Sequence, residues 1–514
     1  MMVAVRGGNG RFQQAAFWAA VMATVGLLLV LVGRPIPIII WDEGRIIISA
    51  MEMRHSGIGL VTTYDFVPDL WNTKPPMLVW LMTGSMAMFG PTEFALRLPS
   101  LMAALGTLLL VMLFLRRITS SVAIAAFGGM ALATSVGFFG EHGARTADFD
   151  ALLCFFTTAY LLLLFFAVHR SPPPRGWLLL AGVMAAGALM TKGLAGGIPG
   201  AGLLLYLVLV RRWHRLFETP RYWVAALLAG LPMLLFLFLR EAAAPGFLHA
   251  MLFNDVSGRF NNPASINNSG PPWYYLDTTF ARGLFSLGTL TLLAPLALPF
   301  ARGRVRLALL FALCIAVGQL AVVTMSGTKL AHYYLSAYPF LAIAAALAVH
   351  ALFLWMTRSV RAGRLAPRSL WIARLVPVAL LALGAMQAID ACERVLAPRE
   401  HYPRTRYGAL LDALSGVRAP VLLIEPGINI PDDPHYAPEL RFYAMVARQQ
   451  GRSVAHVGKM DGIASAAPDT ILASCDPSIV PLLQRQGADI ILERDGCLAR
   501  WNGGQASLTQ PPSG

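Results

Sequence analysis

The chain has 514 residues, of which 56% are hydrophobic and 13% charged, against about 25% charged in an ordinary globular protein. With a mean hydropathy of +0.60, these figures exclude a disordered chain, a collagen-like chain and a disulfide-stapled secreted scaffold, and they read as a protein that crosses a membrane many times. The net charge of +14 is then an excess of Lys and Arg on cytoplasmic loops rather than a nucleic-acid footprint.

A helix needs about 20 apolar residues to cross the hydrocarbon core, or somewhat fewer when flanking side chains snorkel. About eleven runs meet that standard. They lie near residues 15–33, 95–115, 121–139, 151–168, 177–190, 193–210, 222–240, 283–300, 307–325, 333–356 and 371–389. The first reads as a span rather than a cleavable leader, because it is long and lacks a clear cleavage site. One further run, Met77 to Phe89, is fenced by Pro75, Pro76 and Pro91, and its length predicts a re-entrant or surface-lying helix.

Placing the N-terminus, with Arg6 and Arg11, in the cytoplasm assigns the loops by alternation. The cytoplasmic set is Arg116 and Arg117, residues 169–175, residues 211–221, Arg302 with Arg304 and Arg306, and residues 358–368; every one is basic. The outer set holds the unusual polar residues: 34–94, 140–150, the break at Thr191 and Lys192, 241–282, 326–332, and the chain after about 390. This divides the protein into a transmembrane domain, 1–389, with a large first outer loop, 34–94, and a water-soluble extracytoplasmic α/β domain, 390–514. Within the latter, 420–424 and 489–492 read as short buried strands and 439–450 as a helix, while the tail after Trp501 reads as disordered. Cys475 and Cys497 lie in a compartment that permits a disulfide; Cys154 and Cys314 fall in apolar spans as packing residues.

On the outer face, the first loop opens with Trp41, Asp42, Glu43, Gly44 and Arg45, and continues to Lys74, where two prolines stiffen the chain directly after a lysine. The next outer loop carries Glu141, His142, Arg145, Asp148 and Asp150. Asp150 borders a span, where a carboxylate is costly unless paired, with Arg145 for example, or facing an aqueous cavity. Lys192 interrupts an apolar stretch. Arg259 and Phe260 precede an aromatic group, and Lys329, His332 and Tyr333 precede the tenth span. Each alone is compatible with solvated loop charge or an interfacial belt. Together they bring acids, lysines, an arginine and a histidine to one side of the membrane, which suits a substrate with an anionic headgroup and a lipid tail. No P-loop, no GxGxxG after a strand, no HExxH and no paired CxxC is present.

At these residues the chain resembles GT-C fold membrane glycosyltransferases, the superfamily of dolichyl-phosphate-mannose protein mannosyltransferases and aminoarabinose transferases. The resemblance covers about residues 35–345. It is carried by Asp42 and Glu43; by Lys74, Pro75, Pro76, then Phe89, Gly90, Glu93 and Arg97 to Ser100; by Ala144, Arg145 through Asp150 into Phe155 and Phe156; by Thr191, Lys192, Gly193; by Arg259 and Phe260; and by Lys329, His332, Tyr333, Tyr334 and Pro339. It implies inverting transfer of a sugar from a polyprenyl-phosphate, undecaprenyl-type donor to an envelope lipid, glycan or protein, on the periplasmic face of a bacterial inner membrane. It implies Asp42 as principal catalytic carboxylate with Glu43 beside it, Asp150 or Asp148 as the second acidic position, and Lys74 on the carrier phosphate. Arg45, Arg145, Lys192, Arg259, Lys329, His332 and Tyr333 are further substrate-binding candidates. The aminoarabinose transferases place a metal-binding Glu before the motif lysine; this chain has Thr73. A divalent metal is therefore left open, with Glu141, His142 and His249 as candidate ligands. The competing class is a transporter or flippase for an anionic lipid-linked substrate, which would carry ionisable groups near the midplane and often inverted repeats.

Overall fold

A computed structural model describes residues 9–33, 36–39, 41–258, 270–283, 290–366, 406–430, 433–458, 466–485, 489–502 and short pieces between 379 and 393. Among the described residues, seven helices are long and apolar enough to cross a membrane: Gly10–Gly33, Glu93–Thr119, Phe149–Val168, Arg175–Gly197, Pro220–Ala243, Gly303–Met325 and Ala331–Arg361. The expected spans at 121–139 and 193–210 are shorter. Helix Val122–Ala133 stops where the hydroxyls of Thr134 and Ser135 donate to the carbonyls of Met130, at 2.8 Å, and Ala131, at 2.6 Å, offering the chain an alternative to the next turn. The run 193–210 divides into a tight 3₁₀ segment, Gly193–Gly197, and helix Gly200–Leu209. Gly193 itself has φ +57°, the conformation that ends the preceding helix directly after Lys192. Most of the run 371–389 and part of 283–300 lie outside the described residues, as do Arg259, Phe260 and the tail after 502.

Small residues set the closest helix approach. A side chain on Gly202 would sit 2.4 Å from the backbone of Cys314 and Ile315, and Gly318 faces Gly202 equally closely, so Gly200–Leu209 packs backbone to backbone on Gly303–Met325.

The loop after the first apolar helix is a compact unit. Helix Asp42–Ser56 begins with two acids, which favour the positive end of the helix dipole. Strands β1 (Thr63–Tyr64) and β2 (Val67–Pro68) form a hairpin whose two turn residues, Asp65 and Phe66, both have positive φ, as a tight two-residue turn requires. Buried Glu52 holds that turn by accepting from the Thr63 hydroxyl at 2.6 Å and the Phe66 N–H at 3.1 Å. Helix Met77–Phe89 is 13 residues long, within the bounds its flanking prolines set.

The C-terminal portion contains β3 (Val421–Ile424), β4 (Ile428–Ile430), β5 (Asp433–Tyr436), β6 (Val454–Val457), β7 (Ile471–Ser474), β8 (Ile490–Arg494) and β9 (Cys497–Trp501). Five of these make one sheet in the order β6-β3-β7-β9-β8, with β3 parallel to β6 and β7, and β9 antiparallel to β7 and β8. Cys475 and Cys497 are joined in a disulfide beside β7 and β9. Helix Pro438–Gln449 lies against Asp42–Ser56, and Ile46, Ile47 and Met51 share one buried cluster with Tyr407, Leu440 and Phe442. Gly44 permits this contact: a Cβ there would stand 2.8 Å from the Pro438 ring. The C-terminal portion is thus packed on the loop that carries Asp42.

Candidate functional site

Two turns bring the acids together. Between Phe138 and Phe149 the chain folds back on itself: the Ala144 N–H donates to the Phe138 carbonyl at 2.9 Å and the His142 N–H to the Thr146 hydroxyl at 2.9 Å, with His142 at φ +61°. Asp148 caps the following helix, Oδ1 accepting the Phe149 N–H at 2.6 Å. Its Oδ2 is hydrogen-bonded to His142 Nδ1. The same nitrogen lies 4.0 Å from Asp42 Oδ2, at the start of the first-loop helix. One imidazole therefore links two carboxylates 106 residues apart in sequence (148 minus 42).

The charges of this trio are unequal. Burial acts to lower the His142 pKa, but the charge and hydrogen bond of Asp148, then Asp150 and Asp42, outweigh it and raise the pKa to about 9. Asp148 is buried too, yet His142 holds its carboxyl below the ordinary value. Asp42 goes the other way: burial first, then the Asp148 charge, raise it, against the lowering pull of His142, Lys192 and Lys74. Its side chain is nevertheless 38% exposed, so it is a carboxylate enclosed by protein but reachable from one side.

Beside this trio lies a cavity of about 310 Å³. Two ion pairs line it: Lys192 Nζ with Asp150 Oδ2 at 2.6 Å, and Lys74 Nζ with Asp255 Oδ1 at 3.0 Å. The Thr73 hydroxyl donates to the other Asp255 oxygen at 2.7 Å. The lining also includes aliphatic Leu153, Leu194, Ile198, Val322 and Val323 and polar Gln319 and Ser336. Tyr333 also lines the cavity, its ring centroid 5.7 Å from Lys192 Nζ. A cation at 4 Å from a phosphate charge contributes about 4 kcal/mol at an effective dielectric of 20, before desolvation.

Other expected residues are employed elsewhere. Glu43 is buried and accepts from Arg97 at 2.7 and 3.0 Å and from the Ile39 and Ala147 N–H groups, each at 2.9 Å; it ties the first loop to the 140–148 turn. Arg45 makes a two-pronged pair with Asp69, at 2.9 and 2.8 Å, and stacks over Tyr64 and Trp71. Lys329 donates to the carbonyls of Thr324, at 2.9 Å, and Ser326, at 2.6 Å, at the end of helix Gly303–Met325. None of these three borders the cavity. Arg145 is buried, and His332 stacks on His142 at 3.9 Å between ring centroids. Glu141 and His249 are exposed. Asp255 escaped the sequence reading, since a lone acid in a long loop carries no signal until the fold lays it on Lys74.

Among the described residues, two groups place their donors close enough to share a divalent metal: Asp42 with His142 and His332, and His142 with Asp148 and Asp150. Both need His142, whose pKa Asp148 raises, so an ion there has to displace a proton; the ring also stacks on His332 at 29° between planes. At position 73 a hydroxyl stands beside an ammonium, and the carboxylate they share is already neutralised.

Residues 73–238 match the family model described as dolichyl-phosphate-mannose-protein mannosyltransferase. The chain is 29% identical over 291 residues to the undecaprenyl phosphate-alpha-4-amino-4-deoxy-L-arabinose arabinosyl transferase of Shewanella sediminis (strain HAW-EB3), covering 53% of this chain and 49% of that protein. It thus spans about half the length of the curated relatives it matches. Its fold superposes on ArnT from Cupriavidus metallidurans bound to undecaprenyl phosphate, with TM-score 0.65, 19% identity, and coverage of 98% of this chain and 100% of that one. The archaeal oligosaccharyltransferase AglB from Archaeoglobus fulgidus, in complex with an inhibitory peptide and a dolichol-phosphate, superposes with TM-score 0.50 and 14% identity, over 90% of this chain and 70% of that one.

Proposed function

We propose, from its similarity to protein mannosyltransferases and aminoarabinose transferases, that this chain transfers a sugar from a polyprenyl-phosphate donor, undecaprenyl phosphate being the carrier, to an envelope lipid, glycan or protein. In this reading the reaction takes place on the periplasmic face of a bacterial inner membrane, the side opposite the basic loops. The observation that carries this reading is one cavity lined by both Lys74 and Lys192 and by aliphatic side chains, near a reachable carboxylate, Asp42. Cations and apolar wall together suit a lipid whose head is a phosphate.

In the proposed reaction the acceptor oxygen attacks the anomeric carbon from the side opposite the carrier. The bond from that carbon to the phosphate oxygen breaks, and its electron pair stays on the departing phosphate. Lys74 and Lys192 oppose the growing charge there and so favour the transition state over the ground state. A hydroxyl acceptor gives its proton to Asp42, whose raised pKa makes it a better base than an ordinary aspartate. His142, fixed by Asp148, holds a positive charge beside Asp42 and keeps it ionised until the proton arrives. An acceptor that is already an ionised phosphate needs no base, and Asp42 then stabilises positive charge developing on the sugar.

The test uses purified protein in lipid with a panel of polyprenyl-phosphate sugars and a membrane extract as acceptor source, following free polyprenyl phosphate for wild type and Asp42→Asn. Release that depends on acceptor and on Asp42 supports the reading and identifies the sugar. Acceptor-driven release that persists undiminished in Asp42→Asn removes Asp42 from the chemistry.

A further inference from the structure

Lys74 is not waiting for a phosphate with open donors. Its ammonium and the Thr73 hydroxyl each hold one oxygen of the same carboxylate, Asp255, at 3.0 and 2.7 Å. Two donors on two oxygens of one anion are also what two non-bridging oxygens of a phosphate would meet. Asp255 sits in Leu252–Ser257, a π-helical turn that follows helix Phe247–Met251, and overwide turns of this kind recur at functional sites. The neighbouring Asn254 side-chain amide donates to the Leu70 carbonyl at 3.1 Å, so the turn is pinned to the first outer loop at two points, both beside Lys74.

Building on the reading of Lys74 as the carrier-phosphate ligand, we propose that Asp255 is an internal stand-in for that phosphate, exchanged for it when a phosphate-headed lipid enters. Lys74 is only 14% exposed, and a buried ammonium without a counter-charge is strongly disfavoured, so an empty site needs its own anion. A carboxylate and a phosphate cannot both lie against one ammonium without repelling each other. Of the two cavity acids, Asp150 is fixed: its side chain is 4% exposed, on a spanning helix, and bound to Lys192. Asp255 is 24% exposed on a short turn and has solvent to move into. Phosphate in, carboxylate out keeps Lys74 neutralised throughout, and the reverse exchange helps expel the spent carrier. Asp255 then sets how strong an anion must be to take the site, which selects lipids whose phosphate head carries net negative charge over zwitterionic and neutral ones.

The experiment measures binding of undecaprenyl phosphate to the full-length protein in detergent, for wild type, Asp255→Asn, Lys74→Ala and the double variant. Asp255→Asn keeps the shape and the Thr73 hydrogen bond but removes the competing charge, so affinity is expected to tighten by about tenfold, the self-competition having been removed. Lys74→Ala is expected to weaken binding, and adding Asp255→Asn to it to give no gain. Asp255→Ser serves as a second variant if Asp255→Asn does not fold. Unchanged or weakened affinity in a folded Asp255 variant overturns the exchange while leaving glycosyl transfer standing, and so does wild-type affinity in Lys74→Ala. Failure of wild type and every Asp255 variant to bind undecaprenyl phosphate overturns the carrier reading itself, and the exchange with it.

Discussion

Lys192 and Asp150 meet at 2.6 Å between two membrane-spanning helices, 42 residues apart in sequence, and both side chains are nearly enclosed. Removing one partner of such a pair strands the other charge in a low-dielectric site, whereas removing both does not. Lys192→Met is therefore expected to lower stability by about 3–5 kcal/mol, and Lys192→Met combined with Asp150→Leu to recover most of it. Thermal unfolding in detergent checks the stability; sugar transfer should be lost in both.

Asp42 is at the head of its helix, and only His142, at 4.0 Å, comes close enough to form an ion pair with it among the described residues. Asp42→Asn is expected to reduce transfer by about 10²–10⁴-fold while melting temperature and carrier binding stay near wild type. A variant that loses activity and folding together would place Asp42 in the framework instead.

The Asp148–His142–Asp42 trio predicts a bell-shaped pH dependence of transfer to a hydroxyl acceptor. The rate rises as Asp42 ionises through its raised pKa, and falls as His142 loses its proton near pH 9. The stability of the His142–Asp148 pair follows from the same shifts. The raised His142 pKa contributes fully below its ordinary 6.5 and is lost through about 9; the lowered Asp148 pKa contributes fully above its ordinary 3.8 and is lost as pH falls through the lowered value. Asp42, raised from 3.8, opposes stability increasingly as pH climbs from 3.8 to its raised pKa and by a constant amount above it. Melting temperature against pH for wild type and His142→Gln checks this: the variant should lose the decline that wild type shows between 6.5 and about 9.

Glu43 and Arg97 behave as framework. Glu43→Ala takes from Arg97 its nearer counter-charge, leaving Glu93 at 3.6 Å, and strips the Ile39 and Ala147 N–H groups of that acceptor in a buried site; it is expected to cost about 3–5 kcal/mol. Activity and melting temperature should fall together. Glu43→Ala with wild-type melting temperature and no transfer would assign Glu43 to the chemistry.

Much was legible from local pattern. Met77–Phe89 has the predicted bounds because Pro75, Pro76 and Pro91 restrict the backbone on either side, whatever the helix packs against. The strands at 421–424 and 490–494 and the helix at 438–449 declared themselves by apolar runs and helical spacing. Asp42 and Glu43 could not be told apart in this way. They are neighbours in sequence, but consecutive helix residues point about 100° apart, so one faces His142 and the other Arg97. Asp148 and Asp150 divide for the same reason: one caps its helix and binds His142, and the next acid, inside the first turn, reaches Lys192. Composition and periodicity determined a multi-helix membrane protein with its polar chemistry gathered in a few loops, because apolar runs and proline limits act over a few residues. Which carboxylate meets which cation, including Asp255 on Lys74, was decided only by the tertiary fold, because those pairs join helices and loops up to 181 residues apart.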